Sequence, residues 1–283
     1  MLFHFPIYWN KIYQLVDSSK VEGEIDMPSI EENNATWSRQ YHWPQAGDEW
    51  SEWWGGTSGL WMGTLYPRIS RFLPAGNVLE IAPGYGRCTQ FLKQLCRELT
   101  IVDLSAAGID YCRNRFAEDR HIRYFVNDGK SLDMIPDESI DFVFSYDSLV
   151  HVERDVMEAY LMQLGRKLKP RGSGFIHHSN MGMYRNEETG KLTTDYNPGW
   201  RGSTVSAAVF EELSWQAGLQ CICQEQIVWW EGTDLLSDCF SFFTRSPRTP
   251  SSSNLVIRNY LFPEEYKRIA ALSVYDRTPN QAS

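Results

Sequence analysis

The chain lacks what several protein classes require. No apolar run approaches the roughly 20 residues of a membrane-spanning helix. Basic residues are outnumbered, 27 Lys and Arg against 36 Asp and Glu, for a net charge of −9; this argues against the basic face of a nucleic-acid footprint. The six cysteines, at 88, 96, 112, 221, 223 and 239, form no C-x-x-C pair, so reduced, buried thiols are expected rather than disulfides or zinc ligands. The first residues, MLFHFPIYWNK, are apolar but carry neither a basic leader nor a small-residue cleavage site. No compact acidic cluster asks for Mg²⁺, and metal independence is expected. A soluble cytoplasmic protein follows, acting on neither nucleic acid nor membrane; a homo-oligomer is compatible with the sequence but not readable from it.

What the chain does have is aromatic density and an alternating strand–helix pattern. Six of its eleven tryptophans, Trp37, Trp43, Trp50, Trp53, Trp54 and Trp61, fall in one short stretch before residue 73. Leu60, Leu65, Ile69, Phe72 and Leu73 then follow a helix-like spacing up to Pro74. Three regions are expected: an aromatic-rich helical cap or lid over 1–73, an α/β core over 74–246, and a linker and tail over 247–283, the linker starting in SPRTPSSSN.

The run VLEIAPGYGRCTQFLKQLCRELTIVD, Val78 to Asp103, is the most informative segment. An apolar strand leads into a Gly84-Tyr85-Gly86 turn, a helix follows, and a second strand ends in Asp103. Glycines at such a turn let a ligand approach the backbone, and an acid about 20 residues on can hold ribose hydroxyls, so the unit reads as a nucleoside-cofactor site. Further strands are expected at 122–126, 140–146 and 173–178, with a helix between the last two over 153–169. The stretches 219–229 and 238–244 are joined without a helix and should pair as an antiparallel hairpin. Segment 180–203 is polar and glycine-bearing, a long loop or lid with Gly182, Gly190 and Gly199 as candidate hinges.

The pattern Glu80-x-Ala82-x-Gly84-x-Gly86 resembles the first motif of class I S-adenosylmethionine-dependent methyltransferases, whose usual form is acid-x-Gly-x-Gly-x-Gly; Ala82 stands where that form has glycine. Later motifs match in order over about 100 residues: Asp103, Asn127-Asp128-Gly129, SIDFVFSYDSLVHVE and LKPRGSGFIHHSN. The resemblance implies a Rossmann-like α/β fold, a seven-stranded, mostly parallel sheet with an antiparallel terminal hairpin. It implies S-adenosyl-L-methionine as cofactor, held by Glu80, Ala82, Gly84, Tyr85, Gly86, Asp103, Leu104, Asn127, Asp128, Gly129 and Tyr146. Asp103 would take the ribose and Asp128 the adenine amino group, while Glu80 either contacts the cofactor or braces the turn. Plain readings stand beside these: Asp103 as a helix-capping acid, Asn127-Asp128-Gly129 as a turn, the tryptophans as structural packing.

The wording EIAPGYGR, DSLVHVE and FIHHSN resembles bacterial methyltransferases of glycan and secondary-metabolite synthesis, some of them sugar O-methyltransferases. A hydroxyl acceptor must lose a proton during transfer, and histidine is suited to take it. His151 and His178 are the candidate bases, with Asp147 as orienter or alternative base; His151 could equally be a helix-start residue paired with Glu153. Trp43, His177, Asn180 and Arg201 are candidate contacts for a small-molecule acceptor, a carbohydrate stacking on indole faces among the options. The rivals are a small-molecule N-methyltransferase, a dehydrogenase, against which the absence of a Tyr-x-x-x-Lys pair weighs, and a non-catalytic S-adenosylmethionine-binding partner protein.

Overall fold

The structure, a computed structural model, describes residues 29–197, 200–246 and 254–273. Its centre is an eight-stranded sheet of β1 (Ala75–Ile81), β2 (Cys96–Asp103), β3 (Ile122–Val126), β4 (Ile140–Ser145), β5 (Leu168–Ser179), β6 (Gln220–Ile227), β7 (Asp238–Thr244) and β8 (Leu255–Asn259). The order is β3-β2-β1-β4-β5-β7-β6-β8. Strands β1 to β5 are parallel, and β7 runs antiparallel to both β5 and β6. This is the Rossmann-like α/β methyltransferase fold, with one strand more than the expected seven. The β6–β7 hairpin forms, but it does not end the sheet: β8, from the region expected to be linker and tail, pairs parallel with β6 at the edge.

Both faces of the sheet are covered because its central strands are apolar at successive positions, which point to opposite sides. Val78, Phe142, Phe144, Phe175 and Phe242 face a layer that includes Trp54, Trp61, Leu65 and Ile69. Leu79, Ile81, Val143, Ile176 and Phe243 face the other side, where Val156, Leu161 and Leu164 of the helix Arg154–Lys167 and Phe210 and Leu213 of the helix Ala207–Gln216 pack. The expected apolar spacing at 60–73 forms a helical run from Thr57 to Phe72.

Of the cap, residues 29–73 are described. Ser29 begins its first helix, Ile30–Ala35, with a capping box to Glu32. The helix Phe262–Leu272 docks on this cap, with Tyr266 against Trp53 and Trp54 at ring-centroid distances of 5.3 and 5.4 Å. The linker 247–253 and Gly199 lie outside the described residues.

Candidate active site

The carboxyl ends of β1, β2 and β4 open on one cavity, which residues of the cap also line. Its floor is the turn after β1. Ala82 takes a left-handed φ of 57°, its N–H donating to Val102 and its carbonyl accepting from Ser148 Oγ. Gly84 follows at φ 58°, and its N–H donates to Asp103 Oδ2 at 3.0 Å. The other Asp103 oxygen accepts from Ser105 N–H at 2.8 Å, so the acid ties the glycine turn to the next helix start. Burial pushes the Asp103 carboxyl up to about 6 against these hydrogen bonds. Glu80 is more deeply buried and accepts from Thr89 Oγ1 at 2.6 Å; burial raises it to about 8. Glu80, Ala82, Gly84, Tyr85, Asp103 and Leu104 all line the cavity. Gly86 does not: a Cβ there would come within 2.6 Å of the Phe116 ring, so this glycine lets the turn pack on the end of the helix Ala106–Arg115.

The turn after β3 departs from expectation. Asp128 is exposed and off the cavity wall, its Oδ1 accepting from Lys130 and Ser131 N–H groups, which hold its carboxyl below the usual range. Asn127 is likewise turned away, donating to Ser131 O and Tyr160 Oη and accepting from Gly129 N–H. Both residues shape the turn, and Gly129 alone of the three lines the cavity. Short Asx-type bonds to the local backbone won over an aim into the cavity, a competition that spacing cannot reveal.

Beyond β4 lies a buried charged network. Asp147 has φ 57°, and its N–H donates to His177 Nδ1 at 3.2 Å. That assigns the His177 proton to Nε2, which donates to Asp238 at 2.9 Å. Arg87 pairs with Asp147 at 2.8 Å, while Arg201 lies 3.0 Å from Asp238 and 4.0 Å from Asp147. Burial alone would raise the Asp238 carboxyl, but Arg201 and His177 hold it below its ordinary range. Arg87 also covers the Tyr146 ring at 5.3 Å. The Tyr146 hydroxyl is buried with no hydrogen-bond partner among the described residues, and Tyr146, Asp147 and Arg201 line the cavity.

Three expected site residues belong to the scaffold instead. His177 is fully buried with both ring nitrogens engaged, so it supports Asp147 and does not meet an acceptor directly. His178 points to the opposite face of β5, stacked on Phe210 at 4.4 Å and bonded to Ser179 O and Ser241 Oγ. Burial pushes its pKa down to about 3. Asn180 is fully buried, its amide joining Leu236 O and Ala207 N. These positions follow from strand alternation, which sends neighbours to different faces.

His151 is placed otherwise. It lines the cavity at the end of the turn after β4, half-buried, its ring 5.5 Å from that of Trp37. Nδ1 lies 3.0 Å from the carbonyl of Trp200, a contact only an N–H can make well, so the lone pair sits on Nε2, which has no partner among the described residues. Burial, then the charge of Arg201, pushes its pKa down to about 4. Glu153, the alternative partner, binds Ser203 and Thr204 instead.

Eight of the eleven tryptophans line the cavity, at 37, 43, 50, 53, 54, 200, 229 and 230. Trp43 stacks on Tyr85 at 4.6 Å, and Glu49 holds the loop that carries it, accepting from Gln45 and Gly47 N–H and Tyr41 Oη. Arg87, Asp238, Glu49, Tyr160 and Trp229 escaped sequence reasoning. Only Arg87, directly after Gly86, and Asp238, an acid opening an apolar strand, left a signal in the sequence. Among the described residues no three His, Cys, Asp or Glu side chains are grouped to hold a metal ion, and no helix is long and apolar enough to cross a membrane.

Residues 78–172 match a family model described as a methyltransferase domain. Solved structures similar to this chain include an S-adenosylmethionine-dependent methyltransferase from Methanosarcina mazei, with a TM-score of 0.50, 15% identity, and coverage of 65% of this chain and 99% of that one. Another, from Mesorhizobium loti, has a TM-score of 0.50 at 16% identity, covering 64% of this chain and 97% of that one. No curated protein matches the chain by sequence. Residues 78–172 thus match a methyltransferase domain, and the chain shares the Rossmann-like fold of these structures. A methyltransferase domain makes the protein an enzyme. The cavity is lined by a backbone turn, the carboxylate after β2 and a buried hydroxyl with no partner among the described residues, a set that suits a nucleoside cofactor.

Proposed function

We propose that the protein methylates a hydroxyl of a small molecule, a sugar or glycosylated metabolite, with His151 as general base. His151 carries this reading: its tautomer is set by the Trp200 carbonyl, and an imidazole lone pair is left on the wall of the cavity. The cofactor of this reading is S-adenosylmethionine, which when bound would supply an electrophilic methyl group. Glu80, Ala82, Gly84, Asp103, Leu104 and Gly129 are the residues that would hold it, and Tyr146 stands at the β4 end with a hydroxyl to offer.

The remaining chemistry belongs to this chain's side chains. His151 Nε2 accepts the acceptor's hydroxyl proton as the oxygen becomes a nucleophile. Asp147 is held between Arg87 and Arg201, so its charge is compensated and its role is to orient polar groups rather than to take the proton. Indole faces fit the apolar C–H faces of a sugar, and Arg201 and Asp147 supply polar contacts beside them. The cap excludes water and positions the acceptor, which for a transfer of this kind supplies much of the rate.

Incubation with methyl-labelled S-adenosylmethionine and a panel of sugars, glycosides, phenols and amines tests the reading. The expected result is label on a hydroxyl-bearing acceptor and its loss in His151→Ala. Label on amines alone, retained in that variant, would replace it with N-methylation; no turnover with cofactor bound would favour a binding protein.

A further inference from the structure

Besides that of Tyr146, a second hydroxyl proton on the cavity wall has no acceptor among the described residues. Tyr160, on the helix Arg154–Lys167, is 4% exposed and lines the cavity. Its oxygen lies 3.0 Å from Asn127 Nδ2. The Asn127 amide is fixed in orientation: Oδ1 takes the Gly129 N–H at 3.1 Å, and Nδ2 gives its other proton to Ser131 O at 2.9 Å. Tyr160 must therefore accept from Asn127, and its own O–H is left to donate elsewhere. No described residue receives it. Burial keeps this phenol protonated, so it is a donor throughout the working pH range.

The surroundings define what it meets. Ile30, Leu104, Leu149 and Val156 line the same cavity, and a Cβ on Gly129 would fall within 2.9 Å of Ile30. Such a slot suits a flat heteroaromatic base and would leave an ammonium or a polyhydroxyl ring without partners. The exposed Asp128, with its carboxylate engaged by two backbone N–H groups, does not line it. Resting on the S-adenosylmethionine reading above, we propose that Tyr160, oriented by Asn127, reads a ring nitrogen of the cofactor's adenine by donating its hydroxyl proton. Tyr160 is then the specificity-determining residue for the base, and Asn127 a positioning residue.

Titration calorimetry of the full chain with S-adenosylhomocysteine and its 1-, 3- and 7-deaza analogues is the test. One deaza analogue is expected to bind the wild type about five- to tenfold more weakly than the parent, the value of one hydrogen bond. Tyr160→Phe, checked for an unchanged melting temperature, is expected to lose the same factor toward the parent and to bind that analogue as tightly as the parent. Equal affinity of the wild type for all four ligands overturns the proposal without recourse to the variant. So does a Tyr160→Phe variant that still discriminates, or an Asp128→Asn variant that weakens binding more than Tyr160→Phe. Wild-type binding of the parent ligand shows separately that the cofactor assignment stands.

Discussion

His151 is kept neutral by its surroundings, and that has a kinetic signature. A base acts only when unprotonated, and here burial and Arg201 push the pKa down to about 4. The rate should stay level as pH falls from 7 toward 5 instead of dropping near the ordinary histidine value of about 6.5, and the decline should begin only as pH approaches 4. His151→Ala should lower kcat by about 10²–10⁴-fold with cofactor affinity within a few-fold of wild type, measured by steady-state kinetics and calorimetry. Glu80 shows the opposite sign. Its folded pKa, raised to about 8, exceeds the unfolded value, so its contribution to stability is present in acid and is lost as pH rises through 8. Glu80→Gln removes that loss, and its melting temperature should gain on the wild type between about pH 5 and 8 and level off above. The sequence marked both residues, because Glu80 lies near the end of β1 and His151 follows β4, each on a motif of the family the chain resembles. What it could not supply was burial, which sets both pKa values.

The cap loop and the segment before residue 203 are the elements best placed to move. Trp43 rides on a loop held by one carboxylate, Glu49, and covers the glycine turn. Trp200 and Arg201 enter the cavity wall from the other side. Hydrogen exchange should slow in 36–50 and around 200–203 when cofactor and acceptor are both bound, and Glu49→Ala should speed it in 41–47 without ligand. Gly182 will not act as a hinge, because its N–H bonds Val205 O and a Cβ would strike that carbonyl at 2.7 Å. Gly190 serves a local turn, bonded to Asn186. Glycine content marked the loop correctly as irregular, but which of its residues reach the site depends on contacts across the chain.

Cap, sheet and the helix Phe262–Leu272 are joined at one half-buried cation. Arg68 donates to Glu225 on β6 at 2.7 Å and to Glu265 on the tail helix at 2.8 Å, and Thr64 links Glu265 to the Trp54 indole on the cavity wall. Ile269 fills the space over Gly63, where a Cβ would come within 2.6 Å of it. Arg68→Met strands two acids and should cost about 3–5 kcal/mol of stability in urea denaturation. Adding Glu225→Gln and Glu265→Gln should return part of it. Strand β8 and the helix Phe262–Leu272 thus belong to the body of the protein, and the helix buttresses the wall of its cavity.

The order of strands and helices, the glycine turn, the acid after β2 and the cap's aromatic character were all legible in the chain, because each is a local pattern: apolar alternation, backbone freedom, spacing. The reading of the cofactor class rests on motifs in series. Tertiary structure alone decided which of His151, His177 and His178 meets the cavity, since a one-residue step along a strand reverses the face. It also turned Asp128 outward and Tyr160 inward, and it made an eighth strand and a docked helix of what composition describes as linker and tail. Such outcomes rest on contacts between residues up to about two hundred positions apart, as between Thr64 and Glu265, and no local pattern encodes them.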